Sequence, residues 1–70
     1  MTKSQVIDYF VENYLPYVIE TYEKDGITDR PARREEFNNM KDSLCKDGRI
    51  TEGLNKTMCL PDYLEQNVYA

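Results

Sequence analysis

The sequence contains no histidine, no tryptophan, two cysteines and three glycines, and each scarcity excludes a class of chemistry. With Cys45 and Cys59 as the only thiols and no imidazole, neither a four-cysteine zinc set nor a mixed cysteine–histidine set can be assembled. The missing imidazole also removes the commonest general base. Ser4 and Ser43 have no identifiable base to activate them, and there is no phosphate loop or dinucleotide glycine motif. The expectation is a chain that is not an enzyme and holds no metal or cofactor.

Long apolar runs are missing as well. No stretch approaches the roughly 18 apolar residues of a membrane span, so a membrane partner is not expected. The opening Met1-Thr2-Lys3-Ser4-Gln5-Val6-Ile7-Asp8 lacks the apolar core of a signal peptide, because Asp8 and Glu12 interrupt it. A cytoplasmic location follows as an expectation, and with it reduced thiols. Cys45 and Cys59 then read as two small apolar groups, although their number alone also allows one disulfide. Asn55-Lys56-Thr57 spells a glycosylation sequon that has no meaning without export.

What is present suits one small folded domain spanning residues 1–70. The chain is 40% apolar and 31% charged, too apolar for a disordered segment. A chain this short buries only about 60% of the surface its unfolded form exposes, so its core is marginal and a homodimer would relieve that deficit. The net charge of −4 is unevenly spread. Residues 1–29 carry six acidic and two basic side chains, residues 30–56 carry five acidic and seven basic, and residues 57–70 add two acids. An acidic chain is a poor non-specific nucleic-acid binder, since phosphate contacts supply most of that affinity.

The hydrophobic period is helical throughout. Thr2 and Gln5 form a capping-box pattern. From there Val6, Ile7, Phe10, Val11, Tyr14, Leu15, Val18, Ile19 and Tyr22 recur at helical spacing and fill about half of a helical wheel. Pro16 interrupts the pattern from the polar side, so the first helix is kinked or split there; one kinked helix over about residues 3–25 is the favoured form. Asp25-Gly26-Ile27 reads as a helix stop, with Ile27 folding back on the last turn. Thr28 or Asp29 caps a second helix with Pro31 in its first turn. Phe37, Met40 and Leu44 form its core stripe, and Asp47-Gly48 ends it. Thr51 caps a short third helix to about Met58, weakened by Gly53. Leu60-Pro61-Asp62-Tyr63-Leu64 begins a final turn or short helix to about Asn67. No stretch shows strand alternation. The predicted fold is all-α: a small bundle of two longer helices and one or two short C-terminal helices.

Two motifs fail on their own terms. Placing Gly48 at the sixth position of a calcium loop puts Cys45 at the third and Leu54 at the twelfth, where oxygen ligands are required. A helix-turn-helix built from the second and third helices has the right order, but residues 52–58 offer only Glu52, Asn55, Lys56 and Thr57 for reading bases. Nucleic acid is therefore not the expected partner, and a small helix-turn-helix-like regulator stands as the alternative.

The candidate binding residues are Tyr9, Arg30, Arg33, Arg34 and Lys41. Arg30, Arg34 and Lys41 share a face of the second helix that Phe37 borders, suited to gripping an acidic protein surface or phosphates. A solvated face pairing with Glu35, Glu36 or Asp42 explains the same pattern without any partner. Of six tyrosines, Tyr9, Tyr14, Tyr17 and Tyr22 lie in the first helix. Tyr14, Tyr17 and Tyr22 fall on the apolar arc, whereas Tyr9 falls among acidic residues and is expected at the surface.

The stretch Pro31-Ala32-Arg33-Arg34-Glu35-Glu36-Phe37-Asn38-Asn39, continuing through Asp42-Ser43-Leu44-Cys45-Lys46-Asp47-Gly48-Arg49-Ile50-Thr51, resembles a pattern in small uncharacterised proteins of tailed bacteriophages. The resemblance covers about residues 5–52 and departs at Gly53-Leu54-Asn55, where aromatic residues would follow. No activity or site residue carries over. The resemblance implies a setting, the cytoplasm of an infected bacterium, and a host protein as partner, bound and inhibited or redirected, including in defence systems.

Overall fold

The structure is a computed structural model that describes residues 1–66. It is all-helical among those residues: α1 (Lys3–Asn13), α2 (Leu15–Tyr22), α3 (Arg30–Lys46), α4 (Glu52–Thr57) and a 3-10 turn at Asp62–Leu64. The end expected for the final turn, at Asn67, lies outside the described residues.

Local chemistry accounts for each boundary. Thr2 and Gln5 make the complete capping box: the Thr2 hydroxyl accepts from the Gln5 amide (3.2 Å) and the Gln5 side chain accepts from the Thr2 amide (2.8 Å). The first helix is split, not kinked. Pro16 cannot donate to the carbonyl of Glu12 and its ring crowds that turn, so α1 ends at Asn13. The chain passes Tyr14 in a loosened helical conformation (φ −112°, ψ −40°), and Pro16 sits in the first turn of α2. The second segment also stops earlier than the pattern suggested, at Tyr22, because Glu23 leaves the helical track (φ −122°, ψ 32°).

Asp29 caps α3 by accepting from the Ala32 amide at 3.0 Å. Gly48, at φ +74°, closes it with a Schellman motif: the Arg49 amide reaches the Leu44 carbonyl and the Gly48 amide reaches that of Cys45. Ile50 is thereby turned into the core. Thr51 caps α4 through the Leu54 amide at 3.1 Å.

α1 and α2 both pack against α3. Val6 and Phe10 of α1 meet Phe37, Met40 and Leu44 of α3, and the rings of Phe10 and Phe37 cross edge to face at 5.2 Å. The chain after α4 then returns along α3, burying Met58, Leu60 and Leu64 against the same cluster. This returning strap supplies a third wall that two long helices alone could not. Truncating Phe10 or Phe37 to alanine is the kind of core deletion that costs about 3–5 kcal/mol.

Candidate interaction surface

The five residues expected to bind a partner do not share a surface. Arg33 and Lys41 are corrected outright: both are buried, at 1% and 6% exposure. The physical reason is their register. Arg33 and Lys41 stand four residues before and after Phe37, on the stripe that faces the core. Arg33 forms a two-pronged ion pair with Glu23 (2.7 and 2.8 Å) and gives its remaining branch to the Leu64 carbonyl at 2.9 Å. Glu23 also accepts from the Asp29 amide at 3.1 Å. One buried pair therefore ties the end of α2, the start of α3 and the strap together.

Lys41 has a comparable role at the other end. Its ammonium donates to the carbonyls of Asn55 (3.0 Å) and Met58, at the C-terminal end of α4, and lies 5.4 Å from the Phe37 ring centre. A cation there satisfies carbonyls that helix geometry leaves open and opposes the helix dipole.

Tyr9 is half-buried, not free at the surface, because its ring packs on the core and the Arg49 guanidinium lies 5.6 Å over it. Arg30 and Arg34 are exposed. Arg34 pairs with Glu65 on the strap, and that hydrogen bond holds the Glu65 carboxyl below the usual glutamate range while raising Arg34. A cleft of about 440 Å³ opens beside this pair, with Phe37 and Met58 as apolar wall and Lys56 and Cys59 at its rim. Cys45 and Cys59 are both free thiols, half-buried and exposed respectively. The basic patch read from the sequence thus reduces to Arg30 and a partly neutralised Arg34.

The surface that stands out was placed inside by the periodicity. The inward stripe of α2 is Leu15, Val18 and Ile19, ending on Glu23. Tyr17 lies one residue, about 100°, from Val18, and Tyr22, although in phase with the stripe, is the last residue of α2. Both are exposed, at 50% and 44%, and their rings meet edge to face at 6.2 Å. Ile27 does not fold back on the helix; it is 60% exposed on the following turn, held there as its amide donates to Asp25. Tyr22 and Ile27 border a shallow hollow of about 270 Å³ with Asp25, Asp29 and Arg30. The Tyr22 phenol is pushed above the usual tyrosine range, first by the neighbouring Tyr17 and further by partial desolvation and by the charges of Glu36 and Glu35.

Among the described residues no group of three or more histidine, cysteine, aspartate or glutamate side chains is placed to hold a metal ion. No helix there is long and apolar enough to cross a membrane. The would-be recognition helix α4 spans six residues, and the Asn55 amide is already engaged by Asp42 at 3.0 Å. Comparison of the chain with family models, with curated proteins and with solved structures gave no match.

Proposed function

We propose that this chain is a protein-interaction module that binds a host protein and inhibits or redirects it, acting from the exposed face of α2 and the turn that follows. The observation that carries the reading is the Tyr17–Tyr22–Ile27 surface. Tyr17 and Tyr22 belong to α2, the most apolar of the three longer helices, and Ile27 to the turn that follows, yet the core is filled without them by Val18, Ala32 and the Phe10–Phe37 cluster. Tyrosine is enriched at interfaces because it offers a large rigid contact and a polar tip at low entropic cost. The bacterial host and the bacteriophage setting rest on the sequence resemblance over Pro31–Thr51.

The test is affinity capture from bacterial lysate with the wild-type chain and with a Tyr17→Ser, Tyr22→Ser double variant. The reading expects a host protein that the wild type retains and the variant loses, with unchanged helicity by circular dichroism. Equal retention by both would place binding elsewhere. If concentration-dependent sedimentation showed the same face closing a homodimer, the reading would fall in favour of self-assembly.

A further inference from the structure

Within that interaction reading, we infer that the Tyr17–Tyr22 face receives an arginine-bearing basic segment of a protein partner. The rings are perpendicular, so one ring gives an edge to the other and open faces remain on an exposed surface. Aromatic faces carry the negative lobes of the ring quadrupole and attract cations.

The carboxylates around the rings act in the same direction. Glu35 and Glu36 on α3 lie close enough for their charge to be felt at the Tyr22 phenol. Glu20 is three residues past Tyr17 on α2, hence its neighbour on the helix surface. None of these three forms an ion pair among the described residues, where the two pairs are Arg33–Glu23 and Arg34–Glu65. They are unneutralised charge beside an apolar surface.

Nearby cations do not cancel this. Arg30 borders the hollow next to Tyr22, but it also lines a second hollow with Asp62 and Glu65, where its charge helps hold Glu65 ionised. Lys24 is exposed on the turn beyond α2. The balance around the ring pair stays negative.

Arginine fits this composition better than lysine. Its planar guanidinium stacks on a tyrosine face while its fork bonds a carboxylate, and it sheds water more readily than an ammonium. A second copy of this chain is a poor occupant: its exposed arginines are Arg30, Arg34 and Arg49, of which Arg34 is already bound to Glu65 and Arg49 lies over the Tyr9 ring. Nucleic acid would be repelled by the same carboxylates.

The probe is a synthetic twelve-residue peptide carrying four arginines among glycines and serines, with matched peptides carrying lysine or glutamate. Binding is followed by amide chemical shifts of the labelled protein and by calorimetry. The arginine peptide is expected to shift residues 17–22 and 35–36 and to bind more tightly than the lysine peptide. The glutamate peptide should leave the spectrum unchanged. Glu35→Gln with Glu36→Gln should weaken arginine-peptide binding about fivefold, as should Tyr17→Leu with Tyr22→Leu, which keeps apolar area but removes the ring faces. Glu35→Gln alone, at an exposed position, gives a smaller loss of the same sign should the double variant fold poorly.

Undiminished binding by the carboxamide variant, shifts confined to α1 or α4, or no binding at millimolar peptide would overturn the inference. The capture experiment separates the two levels. A lysate partner lost with Tyr17→Ser, Tyr22→Ser but no arginine-peptide binding leaves the interaction reading standing and refutes the basic partner. Failure of both refutes both.

Discussion

Replacing Arg33 with methionine removes the partner of a carboxylate that water cannot reach. Glu23 is 3% exposed as a residue and its side chain is fully enclosed, and it takes two of its hydrogen bonds from the Arg33 guanidinium. Breaking a buried ion pair from one side leaves an uncompensated charge and costs about 3–5 kcal/mol. A chain of this length has roughly 4–10 kcal/mol in total, so Arg33→Met should remove most of its stability. The double replacement Glu23→Met, Arg33→Met removes both charges. It still orphans the Asp29 amide and the Leu64 carbonyl, each at about 1–3 kcal/mol if left unsatisfied. The double variant is therefore expected below wild type but above either single variant, with a coupling of about 2 kcal/mol or more. Urea unfolding followed at 222 nm measures all four corners of the cycle. A loss under 1 kcal/mol for Arg33→Met, or strict additivity, would refute the claim that this pair locks the fold.

Further outcomes follow from other contacts. Lys41→Met should cost about 1–3 kcal/mol, since it strands the carbonyls of Asn55 and Met58, and hydrogen exchange should quicken across α4 and the strap before the rest of the protein. Gly48→Ala should cost about 1–2 kcal/mol by thermal or urea unfolding; no atom beyond the adjacent residues lies within 4 Å of the added methyl, so the whole loss is the local backbone's at φ +74°. The folded Glu65 carboxyl lies below its unfolded value, so its contribution is present above about pH 4.3. That contribution is lost as pH falls through the lower folded value. A side-chain titration by NMR should show the depressed value in the wild type and its return toward the ordinary range in Arg34→Ala.

The helices were legible because their signals are local. The Thr2–Gln5 box, the Asp29 cap with Pro31, the Gly48 stop and the Thr51 cap each act over about one helical turn, and each sits where the sequence places it. The split of the first helix is also local, since Pro16 cannot donate to the Glu12 carbonyl, but a wheel drawn over residues 3–25 registers facing and not that missing bond.

Arg33 and Lys41 are buried where charge alone would put them at the surface. Arg33 and Lys41 sit at the same helical phase as Phe37, and Glu23 falls four residues past Ile19 on the inward stripe of α2. An acid and a base, each in phase with a core, form a legible signal for a buried pair, and phase deserves more weight than residue type. Tyr17 and Tyr22 failed in the opposite sense. Their apolar character assigned them to an arc that α3 is too narrow to cover, and the surplus became surface. Ile27 was unreadable for a further reason: Asp25 turns its amide into a side-chain bond, and the turn points the side chain to solvent.

A photocrosslinking amino acid placed at Tyr22, and separately at exposed Lys56 on α4, tests the proposed binding face most directly in living bacteria. The account predicts a discrete covalent adduct with a host protein from position 22 and none from position 56. An adduct from position 56 with silence at position 22 would contradict it.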